Sequence, residues 1–356
     1  MAEGKDTKYM QRALELASKG RGNTSPNPMV GAVIVSDNKI IGEGYHTQAG
    51  NKHAEVMAIE SVARKDLLKR ATMYVSLEPC SHYGKTPPCA ARIIEEGIPR
   101  VVVASDDPSK RVGGKGIAML QDAGVEVTRG ILDSESRELN SRFFTFHDKG
   151  RPYIILKWAE SSDGFLDRIR TDNRRGPNWI TGREEKILVH KWRSEEDAIL
   201  VGYKTACNDD PHLDVRLWGG RSPKRFVISE HTELPPDLRI FSGKPETVIF
   251  TPGSGKGPVG AVYKKIKSRN TAVSEMMAFF RDNNIQSLII EGGCTVLSQF
   301  INAGLWDEAR IFRGKLLFGD GLKAPLIEGD IIDSQAFKVS RLEYLVPKKQ
   351  SVFNSN

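Results

Sequence analysis

The chain has 356 residues, 39% hydrophobic and 27% charged, with a formal net charge of +7. That length points to two domains of ordinary size, and the composition excludes disordered, collagen-like and disulfide-scaffold classes. No apolar run reaches the length of a membrane span, and the opening "MAEGKDTKYM" lacks the apolar core of a secretion signal, so the expectation is a cytoplasmic protein with no membrane partner. Lysine and arginine are scattered, with "VYKKIKSR" the densest cluster and no interleaved stacking aromatics beyond Tyr263. Most of this charge reads as solvated surface, and the remainder suits a phosphorylated small substrate better than nucleic acid.

In chain order, "TKYMQRALELASKG" places Met10, Ala13, Leu14 and Ala17 on one helical face and stops at Gly20. "MVGAVIV" and "KIIGEGYH" read as strands joined by the turn "SDN". "HAEVMAIESVARK" reads as helix, "ATMYVSLE" as strand, "PPCAARIIEEG" as helix, "RVVVAS" as strand, "GKGIAMLQDAG" as helix and "VEVTRG" as strand. "DSESRELNSRFFTFHDKG" predicts one long polar helix, ending at Gly150-Arg151-Pro152, where the chain changes domain. The expected division is 1–148 and 149–356.

Beyond the junction the alternation restarts. "YIILKW", "DAILVG", "KRFVIS", "ETVIF" and "SLIIEGG" read as strands, while "REEKILVHKWRSEE", "SEMMAFFRDNN" and "TVLSQFINAGL" read as helices, with "DEARIFRGKLL" following. Both halves therefore predict α/β layers, helices packed on a sheet. "TPGSGKGPVG" reads as a surface loop.

Two of the four cysteines, Cys80 and Cys89, stand close together, each directly after a proline, in "LEPCSHYGKTPPCA". They make either a redox clip or part of a metal site, and a reducing compartment favours metal. Upstream, "HAEVMAI" begins a helix with His53 and Glu55 two residues apart. One nitrogen and two sulfurs from His53, Cys80 and Cys89 give three protein ligands to one tetrahedral Zn²⁺ per chain, leaving a vertex for water. His-x-Glu followed by Pro-Cys and a second cysteine is the zinc-deaminase signature, with the glutamate acting as proton carrier and not as ligand. The ion acidifies water, and Glu55 shuttles its proton to the departing amine. His82 is excluded from the metal and read as a surface loop residue.

The eight residues "SHYGKTPP" between the cysteines, together with "TSPNPMVGAVIV", "EGYHTQAG" and "HAEVMAI", resemble the deaminase half of the bifunctional riboflavin-biosynthesis family called RibD or RibG. The resemblance implies a cytidine-deaminase-like three-layer α/β domain. It implies deamination of 2,5-diamino-6-ribosylamino-4(3H)-pyrimidinone 5′-phosphate, with Asn27, His46 and Lys85 where members hold substrate. Read alone, Asn27 is a hydrogen-bonding group for a pyrimidine edge or an ordinary turn residue, and His46 a structural histidine or a ligand contact. Lys85 is a point charge for a phosphate.

The second half resembles the reductase half of the same family through "LKWAESSDG", "NWITG", "DAILVGYKTACNDDPHLDVR" and "LIIEGG". The resemblance implies a dihydrofolate-reductase-like α/β domain that uses NADPH to reduce the ribosyl chain to ribityl. It places Lys157, Arg193, Leu213, Arg216 and Glu291 at substrate, and Ala159, Trp179, Thr205, Asp209, Gly293, Cys294, Thr295, Val296, Leu297, Ser298 and Gln299 at NADPH. Arg193 and Arg216 read as phosphate clamps. A functional role also explains how Lys157 is tolerated in a buried strand. Ser162, Pro177 and the basic "RTDNRRG" depart from the family pattern, and Pro177 carries no hydroxyl to contribute. Two alternatives remain: a deaminase of another nucleotide or a tRNA base with an unrelated second domain, and a nucleic-acid-binding protein with a closed zinc clip. The sequence leaves the oligomeric state open, a homo-oligomer included.

Overall fold

A computed structural model describes residues 2–82, 87–109, 112–172, 174–231, 233–253, 258–268 and 270–348. The chain divides into two compact units, Met1–Gly150 and Arg151–Asn356. Lys85 of the expected deaminase site and residues 254–257 of the expected surface loop lie outside the described residues.

In the first unit, α1 (Ala2–Ser18) precedes the hairpin of β1 (Gly31–Ser36) and β2 (Lys39–Tyr45). Then come α2 (Ala54–Ser61), β3 (Thr72–Leu77), α3 (Cys89–Glu95), β4 (Arg100–Ser105), α4 (Lys115–Asp122) and β5 (Glu126–Arg129). The sheet order is β2-β1-β3-β4-β5, antiparallel across β1 and parallel from β3 to β5. The near-continuous apolar strands are buried on both faces. Ala32, Ile34, Met73, Val75, Val101 and Val103 pack against α2, α3 and α4, while Val33, Val35, Tyr74, Val102 and Ala104 pack against α1. Three layers result.

The expected long helix is two helices, α5 (Asp133–Leu139) and α6 (Ser141–Lys149), parted at Asn140. The buried Asn140 side chain accepts the Met29 N–H at 2.8 Å and donates to the Met29 carbonyl at 2.9 Å, which fixes the break. Nor is this segment polar throughout: Phe143, Phe144 and Phe146 are buried.

The second unit contains β6 (Tyr153–Glu160), β7 (Phe165–Asp167), α7 (Arg183–Glu195), β8 (Ala198–Gly202), α8 (Tyr203–Asp209), β9 (Lys224–Ile228), β10 (Thr247–Thr251) and β11 (Ala261–Lys265). It continues through α9 (Ala272–Asp282), β12 (Ser287–Glu291), α10 (Cys294–Asn302), β13 (Glu308–Gly314), β14 (Leu322–Lys323), β15 (Asp330–Ala336) and β16 (Ser340–Val346). Its main sheet runs β11-β10-β9-β8-β12-β6-β13-β16-β15. The strands are parallel from β11 to β13, and the β15–β16 hairpin closes one edge antiparallel. Even-numbered residues Ile154, Leu156 and Trp158 of β6 join the core under α9 and α10. Ile155 lies on the other face with Val189 and Trp192 of α7. That alternation puts Lys157 on the α7 face of the sheet.

Candidate active sites

In the first unit the turn after β2 delivers His53 as the residue capping α2, and Glu55 occupies the first turn of that helix. Cys80 follows β3, and Cys89 opens α3 directly after Pro88. The His53 Nδ1 lies 3.6 Å from the Cys80 Sγ and 3.3 Å from the Cys89 Sγ, and all three donor atoms fall within 4.8 Å of one another. A tetrahedral zinc with ordinary Zn–S and Zn–N bond lengths spaces its ligands roughly 3.5–3.8 Å apart, so this donor set fits the ion. No fourth histidine, cysteine or carboxylate joins the cluster among the described residues, and His82 is exposed and not among the donors. Both cysteines are free thiols, and His53 joins them as a third donor, the arrangement of a metal site.

The amides of Cys89 and Ala90 tie the two cysteine loops together, donating to the Cys80 Sγ at 3.3 Å and the Cys80 carbonyl at 3.1 Å. Hydrogen bonding from Cys89, with help from His53 and against burial, draws the Cys80 thiol down to about 4. Cys89 is pushed up by its bond to Cys80 and by burial, so the pair shares one proton. His53 is raised, chiefly through Cys80. Glu55 is 3% exposed, and burial, reinforced by Cys80, lifts its carboxyl to about 7.

Upstream of Cys80, the buried Glu78 carboxylate accepts four backbone N–H groups: Asp107 at 3.2 Å, Gly114 at 3.0 Å, Gly116 at 2.9 Å and Ile117 at 3.2 Å. Gly116 lies so close that a Cβ there would sit 1.8 Å from the Pro79 carbonyl oxygen. The loop carrying Cys80 is thereby locked to the start of α4. Nothing in the local sequence marks Glu78 for this role, because its donors lie 29 to 39 positions away.

Asn27 and His46 are brought to the same place. The His46 ring, 2% exposed, stands edge-on to His53 with centroids 5.5 Å apart. Its Nδ1 is 3.1 Å from the Lys52 carbonyl, which only accepts, so Nδ1 carries the proton and Nε2 is the acceptor. Asn27 donates to that Nε2 from Nδ2, 3.1 Å away. Burial lowers the His46 pKa and keeps the ring neutral.

In the second unit a cavity of about 910 Å³ opens at the carboxyl ends of β6, β8, β9 and β12, where ligands bind in open α/β sheets. Lys157, Arg193, Leu213, Arg216 and Glu291 all line it, as do Ala159, Trp179, Thr205, Asp209, Gly293, Cys294, Thr295, Val296 and Gln299. Leu297 and Ser298 do not. Leu297 is fully buried in the core beside Phe300, because helical periodicity turns it away from the cavity. Trp179 is 57% exposed and so not core, with the Lys186 ammonium 3.2 Å from its ring centroid.

Glu291 and Lys157 are paired residues on neighbouring parallel strands, with Lys157 Nζ 3.4 Å from the carboxylate. Arg193 grips the same carboxylate at two points, 2.7 Å and 2.8 Å, and donates its remaining nitrogen to the Asp214 carbonyl at 3.3 Å. Burial raises the Glu291 carboxyl, but Arg193 and Lys157 outweigh it and hold the group at about 2. Arg193, expected as a phosphate clamp, lines the cavity with one edge of its fork engaged by a buried carboxylate. Arg216 pairs with Asp214 and remains half-exposed. Gly292 and Gly293 both adopt φ of +79°, and a Cβ on Gly293 would lie 3.1 Å from the Thr205 Oγ1. This bare turn leads into α10, whose opening amides have no partner within the helix, a setting that favours anions. Sequence reasoning missed His190, Ser229 and Asn178, which line the cavity without forming any motif.

Fold and sites define a two-part enzyme, a zinc-dependent deaminase joined to a reductase. Residues 3–105 match the cytidine and deoxycytidylate deaminase zinc-binding region, and residues 152–347 match the RibD C-terminal domain. The chain is 39% identical over 327 residues to the riboflavin biosynthesis protein RibD of Aquifex aeolicus, covering 89% of each. It is 36% identical to that of Escherichia coli, covering 96% of this chain and 97% of the relative. The crystal structure of a diaminohydroxyphosphoribosylaminopyrimidine deaminase/5-amino-6-(5-phosphoribosylamino)uracil reductase from Thermotoga maritima superposes with a TM-score of 0.89 at 34% identity, covering 98% of this chain and all of that one. The chain belongs to the RibD family. It is a bifunctional deaminase and reductase of riboflavin biosynthesis, with zinc in the first domain and NADPH in the second.

Proposed function

We propose that the first domain deaminates 2,5-diamino-6-ribosylamino-4(3H)-pyrimidinone 5′-phosphate and the second reduces the ribosyl chain of the product, both acting in the cytoplasm on phosphorylated pyrimidines. The observation that carries the first assignment is the three-donor cluster beside a buried carboxyl that is not one of the donors. His53, Cys80 and Cys89 hold zinc, which supplies Lewis acidity when bound. Glu55 takes a proton from the attacking water and delivers it to the leaving amine, so that water enters and ammonia departs. The bond from Asn27 Nδ2 to His46 leaves the Asn27 Oδ1 to accept from the pyrimidine edge. His46 thus acts through Asn27. Lys85, which the family resemblance also places at substrate, serves the 5′-phosphate.

In the second domain NADPH, when bound, supplies the hydride. Ala159, Trp179, Thr205, Asp209 and the Gly293–Gln299 segment hold it, with Leu297 and Ser298 contributing through backbone. Lys157, Leu213, Arg216 and Glu291 align the sugar chain, and Arg193 keeps Glu291 ionised and in place.

The test is a split of activities in the full chain. Cys80→Ser abolishes ammonia release from the diaminopyrimidine while leaving NADPH oxidation with the deaminated compound intact. Retained deamination, or NADPH oxidation that does not need the deaminated compound, contradicts the assignment.

A further inference from the structure

His190 is a cavity-lining residue whose Nδ1 has a defined partner and to which no role has been given. It sits on α7 one turn before Arg193, and Lys186, Val189, His190 and Arg193 present one face of that helix to the cavity. The ring is 4% exposed. Its Nδ1 lies 3.2 Å from the Arg216 backbone nitrogen, whose N–H only donates, so Nδ1 is the bare nitrogen of a neutral ring. Burial, then the charges of Arg193 and Arg216, press the imidazolium down to about 4, consistent with that neutral form.

A second α7 side chain holds the same segment. Arg193 donates to the Asp214 carbonyl at 3.3 Å, two residues before the amide that His190 accepts. Helix α7 thus grips one carbonyl and one amide of a short irregular stretch. That stretch is strained: Asp210 and Leu213 carry φ of +43° and +54°, in the left-handed region that residues with a Cβ occupy sparsely. Such conformations persist where the surroundings over-determine them, and they cluster where a ligand is clamped. The far end is pinned as well, since the Asp210 carboxylate accepts the Arg239 amide at 2.8 Å and its Nε at 2.9 Å.

We propose that His190 is a positioning residue of the reductase: its Nδ1 fixes the Arg216 backbone and, with Arg193, sets the 213–216 segment, which opens on the left-handed Leu213, so that Leu213 and Arg216 meet the substrate. This rests on the assignment of Leu213 and Arg216 to substrate made above.

The experiment compares His190→Leu with His190→Asn in the full chain. Asparagine keeps an acceptor near the Nδ1 position, and leucine fills similar space without one. For the deaminated substrate, the leucine variant raises KM about tenfold, the effect of one lost buried hydrogen bond, and the asparagine variant stays within about threefold of the parent. The Kd for NADPH, measured by fluorescence quenching, stays unchanged in both and confirms that the domain is folded. Unchanged KM in the leucine variant, equal damage in the two variants, or NADPH affinity lost in parallel with KM overturns the proposal. Arg216→Leu serves as a separate arm. Should it leave KM unaltered, Arg216 leaves the substrate site, while the comparison of leucine with asparagine at 190 still decides the role of His190.

Discussion

Arg193 and Glu291 meet through two parallel N–H···O bonds of 2.7 Å and 2.8 Å, although 98 residues separate them. Both are buried, so neither charge is tolerable without the other. Glu291→Gln leaves the guanidinium uncompensated and costs the second domain about 3 kcal/mol or more. Tryptophan fluorescence reads this domain alone, because all five tryptophans lie in it. The carboxyl moves from its usual 4.5 down to about 2 on folding, so its contribution is complete above pH 4.5 and is lost as pH falls towards 2. The parent protein therefore shows a steeper loss of stability across that window than the glutamine variant. Parallel acid limbs in the two would remove Glu291 as the cause.

Glu78 predicts a defect felt at the metal. In Glu78→Gln the amide nitrogen of the new side chain faces backbone donors that the carboxylate had accepted. A cost of about 2 kcal/mol or more follows from the lost charge-assisted bonds. Because the same loop carries Cys80, zinc passes to a competing chelator faster than from the parent. An unchanged exchange rate would show that Cys80 is held independently of Glu78.

Arg170 straps the basic segment to Asp209, which we propose holds NADPH. It donates to Asp209 at 2.7 Å, to Asp167 at 3.0 Å, and to the carbonyls of Gly176 at 2.9 Å and Asn208 at 3.1 Å. Burial lifts the Asp209 carboxyl to about 6 against the pull of Arg170. Arg170→Met raises the KM for NADPH about tenfold through these lost charge-assisted bonds and leaves that for the pyrimidine within about twofold. Equal shifts in both constants would mean that the strap shapes the whole cavity.

Asn140→Ala tests the helix break. Two buried bonds to the Met29 backbone vanish and leave an amide and a carbonyl unpaired, costing about 2 kcal/mol. The temperature at which deaminase activity is lost falls, while kcat at low temperature is kept.

The three-donor cluster was legible because its chemistry is compressed into "HAEVMAI" and "LEPCSHYGKTPPCA", and the chain order of strands and helices followed from apolar runs bounded by turn residues. What stayed hidden depends on distant partners. The helical pattern of 133–150 gives no sign that Asn140 is claimed by Met29, 111 positions earlier. That Arg193 has Glu291 as a partner could not be read, because the two are 98 positions apart. Strands β7 and β14 form a pair too short for a periodic signal, and β15 is exposed along its whole length, so no alternation marks it. The run from Gly293 to Gln299 gave no sign that helix geometry sends the Leu297 side chain to the core.

The central claim is that three side chains hold the metal and a fourth, unligated one carries the proton. Glu55→Gln separates these roles in a single preparation, by zinc content together with both activities. The expected result is one zinc per chain, deamination reduced about 10³-fold and NADPH-dependent reduction unchanged. Zinc lost from the variant, or deamination retained with zinc in place, would contradict the account.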